Sequence, residues 1–182
     1  ILEHMKKWWE EKVIKMNNIY LDYAATTPLN EEVLESYYKL LKESYANSDS
    51  IHALGSEASK YLTAARKQIA NLLSVKDKEI IFTSGSTESN NLVVKGVALA
   101  YRGRGKHIIT SSIEHPSLLD SCKWLEENLG FEVTYLPVNK EGKIELEELK
   151  KAIRKDTILV SIMAVNNELG SINDIYGLSK YV

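Results

Sequence analysis

Hydrophobic residues recur along the chain in two patterns, one with helical spacing and one in short runs of strand length. Up to about residue 75 the spacing is helical. It predicts a helix capped by Asn30 that runs to about Ser44, and a longer helix from about Gly55 to Ser74. Beyond residue 75, short apolar runs alternate with helical stretches. Strands are predicted near 79–83, 107–111, 131–136 and 157–163, and helices near 87–102, 116–129, 145–154 and from Asp174.

This alternation predicts an α/β fold in which a mostly parallel sheet carries helices on both faces. In such sheets ligands bind beyond the carboxyl ends of the strands. Three polar clusters follow predicted strands at that end. They are Ser84-Gly85-Ser86-Thr87-Glu88-Ser89-Asn90-Asn91, Ser111-Ser112-Ile113-Glu114-His115-Pro116 and Val165-Asn166-Asn167-Glu168-Leu169-Gly170.

Composition and charge narrow the function classes. The 182 residues are 44% hydrophobic and 26% charged, with a net charge of −2. That balance fits one globular domain and predicts no nucleic-acid partner and no membrane span. A single cysteine excludes an internal disulfide, and the four scattered histidines predict no metal site. We expect a cytosolic protein. Residues 1–18 look like a leader or tag-derived segment, with Met16 as a sensible native start.

The first cluster combines the elements of an anion site. Gly85 lets a ligand approach the backbone, and Ser86, Thr87 and Ser89 add hydroxyls to the unpaired amides of a helix start. The positive end of the helix dipole favours a phosphate there. The alternative is ordinary helix capping, because Ser and Thr are common at helix starts and Glu88 completes a capping box.

The other two clusters each have a functional and a structural interpretation. His115, just before a helix opened by Pro116, is placed to stack on a flat ligand or move a proton, or simply to cap the helix. Asn166 can orient a phenolic or carboxylate oxygen, or belong to a turn with Gly170. Cys122 lies among leucines of a predicted helix, and we predict that it is structural and not a nucleophile.

Taken together, these segments resemble the cysteine desulfurases of the NifS/IscS branch, within the class V aminotransferase family of fold-type-I pyridoxal-phosphate enzymes. The resemblance runs from about Ile19 to the last residue. It rests on the three clusters and two earlier segments, Leu21-Asp22-Tyr23-Ala24-Ala25-Thr26-Thr27-Pro28 and Ser50-Ile51-His52-Ala53-Leu54-Gly55. It implies that residues 19–182 are the N-terminal part of the cofactor-binding large domain.

The resemblance also implies roles for particular residues. Gly85, Ser86 and Thr87 would hold the phosphate of pyridoxal 5'-phosphate. His115 would stack on the pyridine ring and assist proton transfer, and Asn166 would hydrogen-bond the phenolic oxygen. The family substrate is L-cysteine, which becomes alanine while its sulfur is held as a persulfide for iron–sulfur scaffold proteins or other sulfur acceptors.

Other family parts have no counterpart in the chain. They are the Asp that pairs with the pyridine nitrogen, the Lys that forms the Schiff base, the Cys that accepts the sulfur, and the small C-terminal domain. We therefore expect the 182-residue chain alone to be inactive, and to self-associate, since the family is dimeric. Within the family the strand at 79–83 lies away from its next two neighbours. Two alternatives remain open, a fragment of a related enzyme such as a selenocysteine lyase and a non-catalytic folding or assembly fragment.

Overall fold

The computed structural model describes Glu3, Lys7 and residues 19–182. The predicted leader, residues 1–18, otherwise lies outside the described residues. The chain divides into two compact units, Ile1–Leu62 and Thr63–Val182. Among the described residues, no helix has both the length and the apolar character needed to cross a membrane.

The first unit contains helix α1 (Glu31–Glu43) and the start of helix α2 (Ala53–Leu73), which continues into the second unit. Asn30 caps α1 as predicted, because its side-chain oxygen accepts hydrogen bonds from the amides of Glu32 (2.9 Å) and Val33 (3.3 Å). The predictions of both helices are confirmed, and their ends agree with the predicted ends to within two residues. The apolar stripe of α1 is exposed, and it comprises Val33, Leu34, Tyr37, Leu40 and Leu41.

The second unit carries the predicted sheet. After a 3₁₀ turn (Asp77–Glu79), its elements in chain order are α3 (Ser86–Tyr101), β1 (His107–Ser111), α4 (Pro116–Leu129), β2 (Glu132–Leu136), α5 (Leu146–Ala152), β3 (Thr157–Ser161) and α6 (Ile175–Ser179). The strands form a parallel sheet in the order β2-β1-β3. The carboxyl ends of β1 and β3 therefore meet at one edge.

Hydrophobic cores on opposite faces of the sheet confirm that helices cover both. Consecutive residues of a strand point to opposite faces, so the fully buried Ile108 and Ile109 of β1 enter different cores. On one side Ile108 packs with residues of α3 and α4, namely Val94, Ala98, Leu118, Cys122 and Leu125. On the other, Ile109 packs with Leu136 of β2, Ile144, Leu149 of α5 and Leu178 of α6. The predicted α/β class is confirmed.

The prediction of a strand at residues 79–83 is wrong. Residues 77–79 form the 3₁₀ turn, and residues 80–83 pair with no strand among residues 19–182. Ile81 is 68% exposed and Phe82 43% exposed, so the apolar run that suggested a buried strand has no sheet neighbour here. A strand is defined by its ladder of hydrogen bonds, and apolar composition alone does not supply the partner.

A buried polar link from the first residue of β1 joins the three strands. His107 of β1 is fully buried, and its two ring nitrogens lie 2.7 Å from the Thr157 hydroxyl and 2.8 Å from the Thr134 hydroxyl. Thr134 belongs to β2 and Thr157 to β3, so one side chain ties both edge strands to the central one. Burial is tolerated because both nitrogens have partners.

Candidate active site

The first polar cluster forms an open cradle at the start of α3. Gly85 is the N-cap residue, so no side chain caps the helix from that position. A Cβ at Gly85 would meet nothing within 4 Å, which leaves open space over the first turn. Within residues 19–182, the amides and hydroxyls of Ser86 and Thr87 have no hydrogen-bond partner. The site thus presents four unused donors at the positive end of a helix.

The capping box expected at Glu88 is wrong, because Glu88 bonds Ser84, the residue before the N-cap, and not the amide of the N-cap residue Gly85. Its carboxylate accepts hydrogen bonds from both the amide and the hydroxyl of Ser84, each at 2.7 Å. Those two bonds lower the pKa of Glu88 below its usual value. Because Glu88 reaches back to Ser84, it satisfies the residue before the cap and leaves the donors of Ser86 and Thr87 free. The hydrogen bonds of Glu88 therefore do not compete for the donors of the cradle.

His115 occupies the N-cap position of α4. Its Nδ1 accepts a hydrogen bond from the Ser117 amide at 3.1 Å, and the Ser117 hydroxyl lies 2.8 Å from the same nitrogen. The Ser117 oxygen also accepts a hydrogen bond from the Asn90 side-chain amide at 2.8 Å. Asn90 is one turn into α3, so this contact joins the helix of the cradle to His115.

Asn166 is buried and forms the turn that the structural alternative predicted. Its side-chain oxygen accepts from the amides of Glu168 (2.9 Å) and Leu169 (2.8 Å). Its side-chain nitrogen donates one hydrogen to the carbonyl of Ile113 at 2.9 Å. An amide nitrogen carries two hydrogens, so one remains for a ligand oxygen. The bond to Ile113 also brings the third cluster against the second.

Glu114 received no role from sequence reasoning, yet it connects β1 to the segment after β3. It is buried, and one carboxylate oxygen accepts hydrogen bonds from the Ser111 hydroxyl (2.7 Å) and the Met163 amide (2.8 Å). Met163 lies beyond the end of β3, where the predicted strand ran two residues too far. The only signal in the sequence was an acidic residue directly before His115, in the loop after β1.

Hydrogen bonds thus link the three polar clusters that contain the predicted site residues, and the chemistry of those residues fits a phosphate-bearing aromatic cofactor. Hydroxyls and free amides suit a phosphate, while His115 and Asn166 supply a flat ring and an oriented donor. Cys122 does not join them. It is fully buried on α4, and burial, followed by the charges of Glu126 and Glu114, raises its pKa to about 11.

Comparison with known proteins identifies the class of protein to which this doubly covered parallel sheet, with its linked polar clusters, belongs. Residues 19–182 match the family described as "Aminotransferase class-V", so the chain belongs to that family.

Several relatives have more particular names. The chain is 56% identical over 162 residues to a protein named cysteine desulfurase IscS from Dictyoglomus turgidum, covering 89% of this chain and 41% of that one. It is 50% identical over 157 residues to the protein of that name from Methanosarcina thermophila, covering 86% and 39% respectively.

Solved structures share the fold. A structure titled "NIFS-LIKE PROTEIN" superposes with a TM-score of 0.86 at 42% identity, covering 90% of this chain and 45% of that one. Another, titled "SspA in complex with cysteine", gives 0.85 at 41% identity, covering 90% and 47%. The chain therefore spans less than half the length of these relatives.

Proposed function

We propose that this chain is the N-terminal part of the pyridoxal-phosphate-binding domain of a cysteine desulfurase. The observation that carries the proposal is the joining of the three polar clusters through Asn90, Ser117 and Asn166. Support comes from relatives named cysteine desulfurase at 50–56% identity and from a related structure described as being in complex with cysteine. L-cysteine is accordingly the proposed substrate of the whole protein, and alanine and a protein-bound persulfide its products.

The cradle residues would hold the cofactor by its phosphate. Ser86 and Thr87 offer amides and hydroxyls to a dianion, and each charge-assisted hydrogen bond contributes about 1.5–3 kcal/mol. Gly85 contributes by absence, because a side chain there would enter the open space above the helix start.

His115 and Asn166 would act on the ring end of the cofactor. The imidazole provides a flat stacking surface and a proton-carrying nitrogen, and the remaining hydrogen of the Asn166 amide is available for the phenolic oxygen. When bound, the cofactor supplies an electron sink for bond cleavage at the substrate α-carbon. The protein's contribution at this end is to orient the ring and to move protons at its edge.

Binding of pyridoxal phosphate by the chain tests the cradle. Replacing Thr87 by Val removes one hydroxyl donor and should weaken binding roughly ten- to a hundredfold, the equivalent of one charged hydrogen bond. Equilibrium dialysis measures this directly. Thr63→Val, on an exposed position of α2, is the matched control, and pyridoxal without phosphate is the ligand control.

Two results would contradict the cradle assignment. One is unchanged affinity for pyridoxal phosphate in Thr87→Val, and the other is an equal loss for pyridoxal, which lacks the group the hydroxyl should bind. Desulfuration of L-cysteine is measured as sulfide release in the full-length protein. Inactivity of the 182-residue chain alone remains a prediction, and so do its cytosolic location and its delivery of sulfur to iron–sulfur scaffold proteins.

Self-association also remains a prediction. The outer edges of β2 and β3 have no further strand paired to them among residues 19–182, and unpaired edges are templates for association. Light scattering at high protein concentration measures the mass in solution. A dimer is the expected result, and a monomer throughout the concentration range would contradict it.

A further inference from the structure

We infer that Ser117 and Asn90 are positioning residues that fix the tautomer of His115, with its proton on Nε2. The contact that sets this is the Ser117 backbone amide, which donates to Nδ1 at 3.1 Å. A backbone N–H can only donate, so the nitrogen that accepts from it must carry a lone pair. A neutral imidazole with a lone pair on Nδ1 carries its hydrogen on Nε2.

The Ser117 hydroxyl reinforces the same tautomer because its direction is set from α3. The Asn90 side-chain amide donates to the Ser117 oxygen at 2.8 Å, and that oxygen lies 2.8 Å from Nδ1 of His115. Because Asn90 approaches that oxygen as a donor, the hydroxyl hydrogen points away from Asn90, and its acceptor within hydrogen-bond distance is Nδ1, whose lone pair it shares with the Ser117 amide. The chain of donors therefore runs from Asn90 through Ser117 to His115.

Burial of Ser117 and Asn90 stabilises their hydrogen bonds. Ser117 is buried and Asn90 half-buried, so bulk water competes weakly for their hydrogen bonds. His115 itself is exposed, and within residues 19–182 the hydrogen bonds of its ring are all made by Nδ1. One side of the ring is thus held by α4 and α3, while Nε2 remains for a ligand.

The tautomer determines whether neutral His115 donates or accepts a hydrogen bond at its free nitrogen. Applying this to the cofactor and substrate rests on the proposed function. In its neutral form the ring offers Nε2–H as a donor, because the lone pair lies on Nδ1 and is already occupied. A proton accepted by the neutral ring would have to go to Nδ1 and would displace the Ser117 amide. We therefore infer that neutral His115 donates a hydrogen bond from Nε2 to the cofactor or the substrate.

Nitrogen NMR of the histidine-labelled chain, without added cofactor, tests the inference. At a pH where the ring is neutral, two-bond proton–nitrogen correlations distinguish a protonated ring nitrogen from an unprotonated one. The His115 signals are assigned by their loss in His115→Gln. We expect Nδ1 unprotonated and Nε2 protonated in the parent chain.

Two variants test the positioning residues. Ser117→Ala removes one hydrogen bond to Nδ1 and should lower the Nε2–H to Nδ1–H ratio about fivefold, the equivalent of about 1 kcal/mol. Asn90→Asp should lower it further, because a carboxylate only accepts and would turn the Ser117 hydroxyl away from Nδ1. Both should move the Nδ1 resonance toward its protonated position.

Matched controls separate this effect from general disturbance. Ser117→Thr keeps the hydroxyl, and Asn91→Asp adds the same charge at the next position, where the native amide bonds only the Thr87 carbonyl. Neither should move the Nδ1 resonance. The amide spectrum checks that each variant is folded, and Asn90→Asp compared with Asn91→Asp still tests the inference if Ser117→Ala does not fold.

Three outcomes would overturn the inference. They are a parent chain with its proton on Nδ1 or shared between the nitrogens, an unchanged ratio in folded Ser117→Ala or Asn90→Asp, and an equal shift in Asn90→Asp and Asn91→Asp. None depends on cofactor binding. If the tautomer is as inferred but pyridoxal phosphate does not bind, the proposed function fails and the positioning of His115 stands.

Discussion

Replacing His107 by Ala should destabilise the sheet by about 3 kcal/mol. The change removes hydrogen bonds to the Thr134 and Thr157 hydroxyls, each of which contributes about 1 kcal/mol. A further 1 kcal/mol or so comes from the space left by a fully buried side chain. Thr134→Val, which removes one of the two partners, should cost about 1 kcal/mol. Ser112→Ala, on an exposed position after β1, should cost less than about 0.5 kcal/mol.

His107 should also make stability depend on pH. Burial lowers its pKa below the usual 6.5; nearby Arg154 adds to this effect, while Asp156 and Glu132 oppose it. Because the folded protein disfavours the imidazolium, the unfolded chain binds more protons once the pH falls below about 6.5. The free energy of unfolding should therefore be constant above that range and should decline as the pH falls through it. Glu88, Glu147 and Asp156 have lowered pKa values, so their contributions fall in a more acidic range.

Urea unfolding monitored by circular dichroism at several pH values measures both effects, and amide hydrogen exchange in β1 reports on the sheet itself. The parent chain should lose stability between about pH 6.5 and the acidic carboxylate range, and His107→Ala should lack that part of the slope. An identical slope in both proteins, or a cost of His107→Ala no larger than that of Ser112→Ala, would refute the reasoning.

Three further predictions concern the same unit. Cys122 should react with a thiol reagent only on the timescale of unfolding, since it is buried with a raised pKa; rapid labelling of the native chain would contradict this. Gly105→Ala should be strongly destabilising in urea unfolding, because the new Cβ would overlap the Asp156 carbonyl oxygen, whereas Gly103→Ala has open space and should be nearly neutral; equal stability of the two would refute the clash. Glu114→Ala should cost about 3 kcal/mol, as it leaves the Met163 amide and Ser111 hydroxyl unpaired, and Glu114→Gln should recover part of it; a neutral Glu114→Ala would show that the link is dispensable.

The sequence by itself determined the elements and the ends at which the polar clusters lie. Helix boundaries follow from local signals, such as the Asn30 cap and Pro116 at the start of α4, and the structure confirms both. The strands of the sheet are short apolar runs bounded by turn residues, and β1 matches its predicted range of 107–111. These features depend on neighbours in sequence, which a single chain displays.

Only the tertiary structure decided which groups meet. Residues 79–83 have the composition of a strand but no partner among residues 19–182, and composition does not record pairing. The bonds that assemble the site join positions far apart in sequence: Asn90 and Ser117 by 27 residues, Glu114 and Met163 by 49, and Asn166 and Ile113 by 53. No local pattern carries such information, because the order β2-β1-β3 and the packing of α3 beside α4 determine which polar groups come within hydrogen-bond distance.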